Sequence, residues 1–486
     1  MYKQFFLFIG AVMLLFLHFP SSGFALSDET DEFMYHAMET YHIPGASLAI
    51  VRDGELDYIN TWGEMSDGRA VTPASSFIIG SISKPITSFG IMQLIDSGDL
   101  FLDEPVDTYL PSFEYASPND QLITIRHLLE HTSGITAHQS FSITDQETFT
   151  GDSAIREAAG QLNGLELAAA PGETYDYASA NYLLLGAVIE EVTGQPFADY
   201  MAEQIFTPLG MTQTSANYEE ALNAGYVPGY ESWLGQPVKS SGLYDHSGAP
   251  YGYMTASAED LAKLLGFLVN GGDLLSDEMH EIYTSAPEEG GRYGFGWRFT
   301  NPFDDQHYAW HTGASPDYRS EIFFDPSQNS GAVLLINKNH QLEAEAYLSM
   351  MEGIRHIMNG DEPPTLPAVS YVTQWTIAAA LLGSLVAGTV SLILIYRKII
   401  INRTLWAVTG GLGMAIGAGL IPLFSLMLGT PWRTIRLFTP DVAFFVQGVT
   451  AVLVVWGVLT ILILTVKRKK TAATKEMLSG DGTRLA

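Results

Sequence analysis

Phe77-Ile78-Ile79-Gly80-Ser81-Ile82-Ser83-Lys84 is the stretch from which the rest of the chain can be read. It leads into apolar residues at helical spacing through Met92 and Leu94, so a helix is expected to begin near Ser81. Serine and lysine three apart on a helix share one face. A serine hydroxyl is a weak nucleophile and needs a base or a nearby cation. At a helix start it also gains the positive dipole end, and its own backbone N–H becomes an oxyanion donor. The pair occurs once as Ser-x-x-Lys; by itself it equally fits a capping serine followed by a surface lysine.

Outward from this stretch the pattern alternates between strands and helices. Residues 46–51 and 56–62 read as strands joined by a turn at Asp53-Gly54. Residues 321–324 and 332–337 form a second strand pair around 326–331, and 342–358 carries apolar residues at helical spacing. The sequence between is mostly helical, as at 181–193 and 258–269. Strands at both ends with helices between predict an α+β domain, an antiparallel sheet of N- and C-terminal strands with a large helical insertion. No internal repeat is present.

Three further phrases accompany Ser81. Ile125-Arg126-His127-Leu128-Leu129-Glu130-His131-Thr132-Ser133-Gly134 comes first, then Pro171-Gly172-Glu173-Thr174-Tyr175-Asp176-Tyr177-Ala178-Ser179, then His311-Thr312-Gly313-Ala314. With Tyr293-Gly294-Phe295-Gly296-Trp297 they make the chain, over roughly His36 to Asn337, resemble the serine β-lactamase and penicillin-binding-protein family. The resemblance is to the branch of class C β-lactamases, D-alanyl-D-alanine carboxypeptidases and related esterases. It implies a β-lactamase/transpeptidase-like fold, no cofactor, and a small-molecule or cell-wall peptide substrate that acylates Ser81. It implies that the Lys84 ammonium lowers the pKa of Tyr177, a phenol otherwise too weak a base at neutral pH. Tyr177 would then move the serine proton, and the N–H groups of Ser81 and Ala314 would form an oxyanion hole. His311, Thr312, Gly313 and Ser179 would line the substrate.

Two departures from that pattern bear on the substrate. Ser179 stands where an asparagine is usual, and His311 stands where β-lactamases carry lysine. A mostly neutral histidine is a weaker carboxylate partner than a permanent cation. The departures point toward a D-Ala-D-Ala-type peptidase or an esterase rather than antibiotic destruction. Arg319 is read either as a carboxylate anchor or as a strand-end arginine. Asp245, His246 and Glu173 are read as turn and rim residues.

Composition divides the chain in two. Residues 26–370 carry 51 acidic and 12 basic side chains, and residues 371–486 carry 3 and 11. The acidic part has no basic stripe for nucleic acid. Absence of cysteine excludes disulfides, thiolate nucleophiles and Cys-based metal sites. Residues 1–25, with Lys3, an apolar run and the small-residue stretch ending Gly23-Phe24-Ala25, read as a secretory signal or an uncleaved anchor. The organisation expected is a signal at 1–25, a hydrolase domain at 26–345, and a helix end with Pro-rich linker at 346–374. Three transmembrane helices at 375–466 and a basic tail at 467–486 complete it. The spans are 375–396, 405–428 with Pro422 inside, and 442–466. Arg397, Lys398, Arg403 and Lys467-Arg468-Lys469-Lys470 assign those loops to the cytoplasm and the hydrolase domain to the outside. Gly413 and Gly417 suit close packing within the bundle.

Two other readings stay open on the residues. His127, Glu130 and His131 match the His-x-x-Glu-His pattern of inverted zinc peptidases, with both histidines on one helical face. A non-catalytic receptor for penicillin or cell-wall peptide would bind at the same site without turnover.

Overall fold

The computed structural model describes residues 22–287, 292–299, 308–397, 399 and 402–480. The expected leader therefore lies outside the described residues up to position 21, and helix α1 (Ser22–Tyr41) begins inside the last residues of the stretch 1–25 assigned to it. The chain divides into two compact units, 1–231 with 237–369, and 232–236 with 370–486.

The first unit is built on a seven-stranded sheet. Its strands are β1 (Gly45–Arg52), β2 (Glu55–Gly63), β3 (Tyr293–Gly294), β4 (Trp297–Arg298), β5 (Ala309–Ala314), β6 (Arg319–Asp325) and β7 (Ser330–Ile336). Their spatial order is β2-β1-β7-β6-β5-β4-β3. Asp53 and Gly54 both have positive φ, the conformation of a two-residue hairpin turn, so β1 folds straight back onto β2. β1 also pairs antiparallel with β7 from Ala46 opposite Ile336 to Arg52 opposite Ser330. The two ends of the domain thus pair inside one sheet, as the sequence pattern requires.

Both faces of the sheet are covered, which is why β1 and β7 are buried along almost their whole length and mostly apolar rather than alternating. Ala46, Leu48, Ile50, Phe323, Leu334 and Ile336 pack with α1 and with α5 (Ala344–Met358). Ala49, Val51, Ile322, Phe324, Val333 and Leu335 face a larger core shared with α2 (Ser83–Asp96), α3 (Ser179–Thr193) and α4 (Ala258–Asn270). α5 crosses the domain boundary expected at residue 345 and belongs wholly to this unit. The Pro-rich segment after it is partly tied down: Leu366 and Val369 pack on the α1/α5 core, and the Tyr41 hydroxyl donates to the Pro367 carbonyl. A buried ion pair, Lys338 to Glu343 at 3.0 Å, joins the end of the sheet to the start of α5. Lys338 also donates to the Tyr41 carbonyl of α1.

The second unit holds α6 (Val372–Tyr396), α7 (Arg403–Leu428) and α8 (Pro440–Gly480). Three helical stretches, with α8 counted to Val466, are long and apolar enough to cross a membrane. α7 runs unbroken through Pro422. Gly410, Gly413 and Gly417 line its contact with α8; a Cβ on Gly413 would lie 2.6 Å from Trp456. The Trp456 indole N–H in turn donates to Ser391 of α6. The glycines serve packing inside the bundle, with Gly410 added to the two expected.

Candidate active site

The Ser81 turn is a short 3₁₀ segment, Gly80–Ile82, running into α2. Gly80 has φ +54°, and a Cβ there would sit 2.2 Å from the Ala314 nitrogen. A Cβ on Gly313 would sit 1.9 Å from the Ile79 carbonyl. These two glycines let the end of β5 run directly against the serine turn, bringing the backbone of Ala314 beside Ser81. The Ser320 hydroxyl of β6 ties the same turn by donating to the Ile79 carbonyl.

Three polar residues on the first turns of α2 fasten it to the segment at 249–254. Ser83 accepts from Met254 N, Thr87 donates to the Pro250 carbonyl, and Lys84 donates to the Tyr251 carbonyl at 2.7 Å. Lys84 is fully buried and also reaches Ser81 Oγ at 3.1 Å and Ser179 Oγ at 3.4 Å. Burial pulls its pKa down to about 7; Asp145 opposes the shift and Arg298 adds to it. Behind the segment, Tyr251 donates to Asp245 at 2.5 Å and Tyr253 to Asp145 at 2.9 Å. Asp245, expected as a turn residue, is thus a buried anchor for the backbone that holds Lys84.

Tyr177 is half-buried, with the Lys84 ammonium 4.8 Å from its ring centroid. Packing of the ring pushes its phenol up to about 12, opposed by Arg298 and by a hydrogen bond with Ser81. The expectation that Lys84 brings Tyr177 into the neutral range is therefore not met. The group poised near pH 7 is Lys84 itself. Ser179, expected to face the substrate, is an acceptor for Lys84 at the start of α3.

His131 holds the Tyr177 turn from beneath. Its Nδ1 accepts from Ala178 N and lies 3.0 Å from Asn181 Nδ2, and its ring packs 4.4 Å from that of Tyr177. This overturns the zinc reading. The helix spans only Ile125–Leu129, His131 lies beyond it at φ +57°, and His127 Nδ1 is engaged as a cap by Thr124 N. Glu130 turns to Arg126. Among the described residues no group of three histidine or carboxylate side chains could hold a metal ion.

His311 is buried, with Nδ1 at 2.7 Å from the Thr312 carbonyl and Nε2 at 3.2 Å from the Tyr293 hydroxyl. That pairing assigns the proton to Nδ1. Burial, then Arg298 and Lys84, hold its pKa well below the usual histidine value, so the ring is neutral at pH 7. Arg319 is not the carboxylate anchor. On β6 it alternates with Ser320, which faces Ser81's turn, and so points with Phe323 toward α5, where Tyr347 and Glu321 are its electrostatic partners.

Beside Lys84, Arg298 brings a permanent cation to the site, and the sequence reading missed it. It lies opposite Trp310 on β4 with its guanidinium 5.1 Å from the Tyr177 ring and 5.6 Å from the Tyr293 ring. Its signal was one residue past the phrase that ends at Trp297. Tyr251, whose carbonyl completes the lysine site, fell in a loop with no periodicity to read.

A Ser-x-x-Lys pair at a helix start, its lysine buried and its serine faced by a tyrosine and by the end of β5, is an arrangement suited to a serine hydrolase. The chain belongs to the beta-lactamase family, whose model matches residues 30–352. It is 30% identical over 371 residues to protein flp of Staphylococcus aureus, covering 74% of this chain and 72% of that one. It is 33% identical over 235 residues to penicillin-binding protein 4 of Amycolatopsis lactamdurans, covering 47% of this chain and 60% of the relative. Among solved structures, an octameric penicillin-binding protein homologue from Pyrococcus abyssi superposes with a TM-score of 0.59 at 25% identity, covering 73% of this chain and 81% of that one. EstCE1, a hydrolase with promiscuous acyltransferase activity, shares the fold at a TM-score of 0.55 and 21% identity, over 65% of this chain and 94% of that one.

Proposed function

We propose that the protein is a membrane-anchored, extracytoplasmic serine hydrolase that cleaves peptides ending in a D-amino-acid carboxylate through an acyl-enzyme on Ser81. The observation that carries this reading is the buried Lys84, 3.1 Å from Ser81 Oγ with its pKa near 7. Neutral Lys84 takes the Ser81 proton as Oγ attacks the substrate carbonyl. The oxyanion that forms meets the backbone N–H groups of Ser81 and Ala314. Tyr177, a neutral phenol bonded to Ser81, gives its proton to the departing amine and is reprotonated from Lys84. Water then attacks the ester with the same groups working in reverse.

Arg298 favours a carboxylate-terminated peptide over a neutral ester. A guanidinium beside the nucleophile suits bidentate capture of a carboxylate, and neutral His311 does not compete for it. His311, Thr312 and Gly313 form the strand edge along which the peptide lies. A non-catalytic receptor is disfavoured, because a binder has no use for a lysine held near neutral pKa against a serine.

The test is a substrate panel: a D-Ala-D-Ala peptide, the same peptide as its C-terminal amide, short acyl esters, and a chromogenic β-lactam. The free carboxylate is expected to exceed the amide in kcat/KM by about tenfold or more, as one charged hydrogen-bond pair warrants. Arg298→Gln should erase that preference, and Ser81→Ala should lower every rate by on the order of 10⁴-fold. Equal rates on amide and acid would point instead to an esterase. Retained activity in Ser81→Ala would remove the nucleophile assignment altogether.

Membrane anchoring rests on the three apolar helices and on the basic residues flanking them. Because the chain has no cysteine, single introduced thiols report sidedness cleanly. Ser327→Cys, on an exposed turn of the hydrolase unit, should react in intact cells with an impermeant maleimide, and Ser479→Cys should not.

A further inference from the structure

Two stretches without periodicity, 136–152 and 226–251, meet at a cavity of about 130 Å³ that no step of the hydrolysis uses. Its lining includes the rings of Tyr218, Tyr226, Tyr244 and His246, together with Pro228, Ser241 and Gly242, with Glu147 exposed at the rim. The rings converge. Tyr218 lies 4.7 Å from Tyr244 and 5.1 Å from His246, and Tyr226 lies 6.1 Å from Tyr244, all tilted. The Tyr244 hydroxyl is buried yet has no hydrogen-bond partner among the described residues. Natural cores rarely leave such a group unmade without a ligand or water to meet it.

The field around the cavity is negative. Asp245 and, less strongly, Glu220 act electrostatically on Tyr244, and Glu147 stands at the opening. Beyond the wall formed by Tyr218 and His246, a second cavity of about 290 Å³ carries Asp152, Asp199 and Glu219. Arg69, which bonds the neighbouring Gly225 carbonyl, is paired with Asp67. Burial holds the phenols of Tyr226 and Tyr244 far above their ordinary pKa, so the rings are neutral. Neutral aromatic faces in a negative field attract a desolvated cation. A metal ion is poorly served, since a single carboxylate lines the cavity.

We propose that this cavity binds the ammonium group of a small organic cation, a quaternary ammonium above all. The cavity shares no lining residue with the Ser81 centre, so binding of the cation does not require the nucleophile. Tetramethylammonium chloride is the probe, titrated calorimetrically into the full chain in detergent against sodium chloride at matched ionic strength. Saturable binding in the millimolar range or tighter is expected, with neopentyl alcohol, the neutral isostere, at least about tenfold weaker. Tyr218→Leu should weaken binding about tenfold, Tyr218→Phe should restore it, and Glu147→Gln should weaken it about threefold. The same titration on Ser81→Ala should be unchanged, which separates this site from the nucleophile.

Kinetics then distinguish the source of the cation. If the substrate carries it, acetylcholine should exceed 3,3-dimethylbutyl acetate in kcat/KM, and Tyr218→Leu should remove the preference. If it is a free effector, tetramethylammonium should alter phenyl acetate hydrolysis without that preference. No saturable binding up to about 100 mM, equal affinity for the neutral isostere, or full affinity in Tyr218→Leu would each overturn the proposal.

Discussion

Lys84 carries three hydrogen bonds, to Ser81 Oγ, Ser179 Oγ and the Tyr251 carbonyl, which is the full donor capacity of an ammonium. Enclosure would leave such a group charged only if its neighbours made up for lost hydration, and here they do so in part. With the pKa near 7, the neutral form that accepts the Ser81 proton rises through neutral pH and saturates above it. Tyr177, near 12, keeps its proton across the same range. The acid limb of kcat/KM on a neutral ester should therefore have its midpoint near pH 7. Asp145 raises the Lys84 pKa and Arg298 lowers it. Asp145→Asn should accordingly move the limb to lower pH, and Arg298→Gln should move it to higher pH, each by about one unit or less. A limb that stays in place in both variants, or moves the same way in both, would take Lys84 out of the proton path.

At the level of single elements, β6 shows how one strand serves two faces. Ser320, Ile322 and Phe324 look toward the Ser81 turn and the helical core, while Arg319, Glu321 and Phe323 look toward α5. Glu321 is held between sheet and helix, and burial raises its pKa to about 8 despite Arg319 and Arg355. An acid with a raised folded-state pKa binds its proton more tightly in the folded chain, so stability falls as pH climbs from about 4 toward 8. Glu321→Gln should raise Tm at pH 8 and leave it little changed at pH 5; equal effects at both would refute the assignment. Both hairpins and the helix after Ser81 were legible in the sequence, but which face each residue of β6 takes was not, since Ile322-Phe323-Phe324 is apolar on both. Nor were Arg298 and Tyr251. Their roles come from the pairing of β4 with β5 and from a loop wrapped on α2, which are tertiary facts without a local period.

At the scale of the whole molecule, the catalytic sheet is closed by its two ends, and the last helix on it is α5. The sequence pattern revealed the pairing of terminal strands, because apolar runs at both ends need partners and the intervening sequence is helical. It was less informative about where the domain stops, since helix and linker share no boundary signal before Asn359-Gly360. Tyr347, Met350, Met351, Ile354, Ile357 and Met358 of α5 are buried against α1 and the sheet. At roughly 1.5–3 kcal/mol for each buried large apolar side chain, their loss removes on the order of 10 kcal/mol. That is comparable with the whole stability of a domain, typically about 5–15 kcal/mol. The loss also leaves Phe33 and Met38 of α1 facing water and removes the Tyr347 partner of Glu343. Residues 26–345 expressed alone should therefore be insoluble or molten. Residues 26–369, which keep α5 and the Tyr41–Pro367 contact, should be soluble, melt cooperatively and hydrolyse the same substrates as the full chain. Should the shorter piece fold and work as well, α5 would be an accessory to the domain rather than part of its core.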